Sequence, residues 1–109
     1  MAEVYKVIVH SKAEKDLQET IECLKENVGY QTAEELQREF IETLTELTKR
    51  PASYSIFRPD QYSNPRFRKV ILKKAWNLIF EIDEKALEVY VIRMLHVKRS
   101  THFIQKNIK

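Results

Sequence analysis

The 109-residue chain has one cysteine, one glycine and three prolines. It nowhere approaches the ~20 consecutive apolar residues that a bilayer-spanning helix needs. Each scarcity excludes something. A single thiol, Cys23, rules out an internal disulfide. With no base in view it reads as a small hydrophobe on a helix rather than a nucleophile. One glycine cannot build a phosphate-cradling loop. The three histidines are spread along the sequence and no Cys/His spacing suits zinc, so no metal and no cofactor is expected. Serine-hydrolase motifs are missing as well. The N-terminal stretch is apolar only from Val7 to Val9, too short for a signal-peptide core, and a cytoplasmic location is the expectation.

What is present is charge, unevenly placed. Residues 1–50 carry 7 Lys+Arg against 11 Asp+Glu, a balance of −4, and residues 51–109 carry 12 against 5, a balance of +7. This split suggests an acidic scaffold and a basic working half that attracts nucleic acid, an acidic protein or an anionic surface. The length suits a single domain over residues 1–109, and no internal repeat or second domain is visible.

The stretch that organises the chain is Leu87–Ser100, LEVYVIRMLHVKRS. Strict alternation puts Leu87, Val89, Val91 and Leu95 on one face and Tyr90, Ile92 and Met94 on the other. A strand apolar on both faces needs cover on both, so it is expected at the centre of a sheet. Its end turns basic: Arg93, His96, Lys98 and Arg99 form the sharpest cluster of candidate binding residues, against the plainer reading of a polar strand terminus. Side chains at a strand end contribute little packing, so their loss should reduce action more than stability.

The remaining elements follow in order. Val4–His10 is a β-rich first strand. Ser11 to Glu14 fits a capping box opening a helix that runs to about Asn27 along Leu17, Ile21, Leu24 and Val28. Gly29 suits a helix C-terminal cap with positive φ. Thr32 to Glu35 fits a second capping box, and Ala33, Leu36, Phe40, Leu44 and Leu47 make the next apolar stripe, stopped by Pro51. Residues 51–65 have no period and read as a long loop tethered by Tyr54, Ile56, Phe57 and Tyr62. Arg66–Leu72 is a second strand, followed by a turn at Lys73-Lys74-Ala75. Trp76–Ile82 alternates cleanly, with Trp76, Leu78, Phe80 and Ile82 expected in the core. Ser100–Lys109 is weakly helical. The order β-α-α-β-β-β makes an α+β domain, a helical hairpin packed on a small antiparallel sheet.

VIVHSKAEKDL at the first strand, LTKRP at the end of the helix pair, and RKVILKKAWNLIFEIDEKALEVYVIRMLHVKRS resemble the RelE/ParE superfamily of toxins from type II toxin–antitoxin systems, over residues 4 to about 103. The resemblance implies a growth-inhibiting toxin, of the kind linked to plasmid stabilisation, neutralised by a cognate antitoxin, as a homodimer or a toxin–antitoxin hetero-oligomer. It offers two branches. RelE-like members are ribosome-dependent mRNA endoribonucleases that use basic residues on the second strand, an Arg on the third and another after the fourth, with a tail Tyr. Here Arg68, Lys69 and Arg99 are the available catalytic candidates, but Asn77 holds the third-strand position, Val97 the position after the fourth strand with Arg99 close by, and Phe103 the tail position. ParE-like members are binders of DNA gyrase that hydrolyse nothing, and Arg93-Met94-Leu95-His96 with Lys98-Arg99 resembles that branch more. The preferred reading is therefore a binding toxin, leaning away from an enzyme, with Arg93, His96, Lys98, Arg99, Lys73 and Lys74 as target-binding residues. A non-toxic interaction module with the same fold is the third alternative.

Overall fold

The structure is a computed structural model that describes residues 4–57 and 66–99. Its elements are β1 (Lys6–Val9), α1 (Ser11–Asn27), α2 (Tyr30–Leu47), β2 (Phe67–Leu72), β3 (Trp76–Asp83) and β4 (Glu88–His96), with short 3-10 turns at Pro51–Ser53 and Val97–Arg99. The two helices pack on one face of a four-stranded sheet ordered β1-β4-β3-β2. The expected α+β order and the interior position of the last strand are both present. The sheet, however, is mixed. β2, β3 and β4 form an antiparallel meander, whereas β1 runs parallel to β4, pairing Lys6 with Glu88 through Val9 with Val91. Alternation along a strand reports its faces and says nothing of its neighbour's direction, which is why the sequence alone suggested an all-antiparallel sheet.

The core lies between helices and sheet. Ala13 and Leu24 of α1 and Ala33, Leu36, Phe40 and Leu47 of α2 meet Leu72, Leu78, Phe80, Val89, Val91 and Met94. Leu17, Ile21, Leu44, Trp76 and Ile82 pack against its border. A second, smaller cluster of Phe57, Phe67, Ile79 and Leu95, with Ile92 against it, covers the other face. The segment after α2 supplies that cover. Lys69 N–H donates to the Ser55 carbonyl at 3.0 Å and Phe57 N–H to the Phe67 carbonyl at 2.7 Å, so the segment runs alongside β2. The tethers Tyr54, Ile56 and Phe57 act as expected; Tyr62 and the weakly helical tail from Ser100 lie outside the described residues.

β4 departs from strict alternation. Ile79 pairs with Arg93 and Phe80 with Val91, leaving Ile92 as an extra residue in a β-bulge. Beyond it the faces exchange: Met94, not Leu95, follows Val89 and Val91 into the helix-facing core, and Leu95 joins Ile92 on the far side. The strand is also shorter than Leu87–Ser100. Leu87 sits in the preceding turn with φ 55°, and the strand ends at His96.

Neither capping box forms. His10 occupies the N-cap of α1 and Gly29 that of α2, each without a side-chain hydrogen bond, so Ser11 and Thr32 already lie inside their helices. Gly29 does have positive φ, 150°, but it opens α2; Val28 closes α1, and both amides donate to the Leu24 carbonyl. The β2–β3 turn is less comfortable. Lys73 (φ 50°) and Lys74 (φ 58°) are consecutive left-handed residues closed by Ala75 N–H donating to the Leu72 carbonyl at 3.0 Å. That pattern belongs to a type I′ turn, which favours Asn-Gly, and a side chain with a Cβ carries a cost of roughly 1–2 kcal/mol per residue there.

Two substitutions separate packing from backbone. Phe80→Ala removes a ring with 0% exposure and is expected to cost about 3–5 kcal/mol in chemical denaturation. Gly29→Ala meets no atom within 4 Å of the added Cβ, so its expected loss of about 1–2 kcal/mol comes from the positive φ alone.

Candidate target-binding site

β3 begins where β4 ends: Trp76 pairs with His96, and Val97 N–H donates to the Ala75 carbonyl at 2.8 Å. This joins the Lys73–Lys74 turn to the His96–Lys98 strand end, so four of the six expected binding residues share one end of the sheet. Lys74 and Lys98 are exposed there and form no ion pair among the described residues. Lys73 is half-buried and 3.4 Å from the Glu35 carboxylate on α2, while its backbone N–H leans toward Glu39 at 3.4 Å. The opposite end of the sheet mixes both signs: Glu81, Asp83, Glu84 and Glu88 stand there with Lys6, Lys85 and Arg66, and Arg66 lies 3.3 Å from the Glu81 carboxylate. Tyr90 donates to Glu88 and Tyr5 to Glu84, and the contact with Glu88 raises the Tyr90 phenol above its ordinary value.

His96 is held rather than swinging free. Its ring meets Trp76 edge-on at 6.0 Å, and its Nδ1 accepts the Lys98 N–H at 3.2 Å. In this arrangement a neutral imidazole carries its proton on Nε2. Trp76 packs on the main core, as its alternation suggested, yet it also lines a groove of about 600 Å³ with His96, Arg93 and the α1 residues Lys12, Lys15, Asp16 and Cys23.

Arg93 differs from its companions. Its Nε lies 2.7 Å and its NH2 3.2 Å from the two oxygens of Asp16, and the Met94 N–H donates to the same carboxylate at 3.0 Å. The Asp16 hydrogen bond, with the fields of Asp16 and Glu19, outweighs burial and raises the guanidinium further above its ordinary value. Arg93 therefore fastens β4 to α1, and the expectation that its removal would spare stability does not suit this geometry. Arg99 closes the turn after β4, and Phe103, the tail position, lies outside the described residues.

The second-strand pair divides. Arg68 pairs with Phe80 on the helix-facing side and Lys69 with Ile79 on the other, as alternation required. Arg68 donates to the Tyr54 carbonyl at 2.7 Å, pinning the segment that covers β2. Asn77 is buried at 5% exposure. Among the described residues no His, Cys, Asp or Glu cluster could hold a metal ion, and no helix is long and apolar enough to cross a membrane.

Sequence reasoning missed Lys12, Lys15 and above all Asp16. The available signal was their three- and four-residue spacing with Glu19, Thr20 and Cys23, a helical row beside the Leu17–Ile21–Leu24 stripe.

Residues 7–101 match the family described as the ParE toxin of the type II toxin–antitoxin system, parDE. The chain belongs to the ParE toxin family. Three solved structures share the fold. The chromosomal ParDE system from P. aeruginosa has a TM-score of 0.68 at 18% identity, covering 86% of this chain and 97% of that one. Free E. coli RelE carrying two arginine substitutions has 0.63 at 16%, covering 97% and 99%. The RelBE2 toxin–antitoxin complex from Mycobacterium tuberculosis has 0.58 at 16%, covering 85% and 98%. Among the curated proteins, no sequence matches this chain.

The Tyr54 phenol, packed edge-on against Phe80 at 6.0 Å, is pushed above its ordinary 10.0 first by burial and then by Glu46. Below pH 10 both folded and unfolded chains keep this proton, so it does not alter stability. Above that pH the unfolded chain releases it first, and stability should fall until the folded-state value is passed. Denaturant titrations from pH 9 upward should show this decline, with part of it removed in Tyr54→Phe.

Proposed function

We propose that this ParE-family protein is a growth-arresting toxin that acts by binding its target, with DNA gyrase the target suggested by its branch, and that a cognate antitoxin neutralises it in the cytoplasm. The observation that carries this reading is the division of the basic residues. Lys74 and Lys98 stand exposed at one end of the sheet, beside a fixed His96, where a partner can meet them. Arg68, which a ribonuclease would need over its scissile phosphate, is instead engaged with the Tyr54 carbonyl, and Lys69 is on the other face. A cation already committed to a backbone oxygen supports binding chemistry over phosphate activation. The M. tuberculosis relative, a toxin–antitoxin complex, supports an antitoxin partner by likeness of fold.

The ribonuclease alternative with Arg68, Lys69 and Arg99 makes a different prediction, so induction from a tightly repressed promoter decides between the two. The expected result is growth arrest, relieved by the antitoxin of the neighbouring reading frame, with loss of plasmid supercoiling or trapped gyrase–DNA complexes. Codon-dependent cuts within translated messages would overturn the binding mechanism. Normal growth without any antitoxin would leave the non-toxic interaction module.

A further inference from the structure

We infer that the Lys73–Lys74 turn is a docking knob for an acidic, leucine- or isoleucine-bearing segment of a protein partner, with Lys74 and Lys98 as its charges and Ile71 and Val97 as its apolar contacts. The inference rests on the binding mechanism proposed above and adds the partner's chemistry. Three observations converge on it.

The first is strain. Two consecutive residues with φ near 50–58° are held in a conformation suited to Asn-Gly, and both are lysines. Unfavourable backbone kept in place by surrounding structure is a feature of binding and switching sites. Here the surrounding structure is visible: the Glu35 ion pair holds Lys73, and the Val97–Ala75 hydrogen bond holds the base of the turn. The second is availability. Lys73 is engaged with α2, but Lys74 is exposed, as is Lys98 on the adjoining strand end. The third is the company these charges keep. Ile71 is 48% exposed and Val97 38% exposed; Ile71 lies two residues before the turn, and Val97 is bonded to Ala75 at its base, so both large apolar residues belong to the same end of the sheet as the lysines. Nucleic-acid phosphates would use the lysines and leave both apolar side chains in water. A protein segment that mixes carboxylates with aliphatic side chains covers all four.

The test is an NMR titration of the full isotope-labelled chain with three probes: a glutamate-rich peptide carrying leucines, an all-glutamate peptide, and a single-stranded oligonucleotide. The leucine-bearing peptide should bind most tightly and shift the amides of residues 71–75 and 96–98. Lys74→Gly and Lys98→Gln should each weaken it about fivefold or more, while Lys74→Arg retains it. Lys74→Gly relieves the left-handed backbone, so its melting temperature should stay level or rise by about 4–8 °C as binding is lost. Tighter binding of the oligonucleotide, shifts centred elsewhere, unchanged affinity in Lys74→Gly, or a lowered melting temperature in that variant would each overturn the knob. Growth arrest of the same variants keeps the two readings apart. Peptide binding at the knob by a chain that never arrests growth defeats the toxin reading alone. Arrest without peptide binding defeats the knob alone.

Discussion

The carboxylate of Asp16 does what a neighbouring strand would otherwise do. β1 accompanies β4 only as far as Val91, where His10 N–H donates to the Val91 carbonyl. Past that point β4 has lost its partner on that side, and a bulge at Ile92 has turned its faces over. Asp16, one turn into α1, accepts the Met94 N–H and both arms of Arg93, so the helix replaces the missing strand. Charge-assisted bonds of this bidentate kind are about twice as strong as neutral ones. With side-chain exposures of 26% for Arg93 and 16% for Asp16, the pair is also better shielded than an ordinary surface bridge. The pair ties α1 to the strand end that carries His96 and Lys98, along the groove that Trp76 also lines.

The basic residues of the strand end divide into two kinds. Arg93 turns inward to an acid on α1, while Lys98 continues outward past a histidine fixed by its own backbone contact. The same division recurs on β2, where Arg68 secures the covering segment and Lys69 faces away. In both places a guanidinium, with its planar fork of donors, takes the structural task.

Much of the fold was legible because it depends on periodicity. The Trp76–Leu78–Phe80–Ile82 face and the Leu36–Phe40–Leu47 stripe reach the core as alternation and helical spacing require. What escaped was non-local. Nothing in the residues of β4 announces a bulge, so the sides of Met94 and Leu95 were exchanged. Nothing in VIVHSK states that its neighbour runs parallel. The capping boxes failed for a local reason: His10 and Gly29 offered backbone geometries that let each helix begin earlier. At the site, the cluster of cations was visible as a run of charge, but the fate of Arg93 was not, because its partner lies 77 residues away. The two lysines at positive φ were equally hidden, since neither residue type signals a left-handed turn.

Asp16 and Arg93 act as one unit, and a double-mutant cycle measures that directly. Denaturant unfolding of the parent, Asp16→Asn, Arg93→Gln and the double variant should give a coupling energy of at least about 1 kcal/mol, with the double variant no less stable than the worse single one. A coupling indistinguishable from zero would mean that the helix is held over the strand end by packing alone, and that Arg93 is as available to a partner as Lys98.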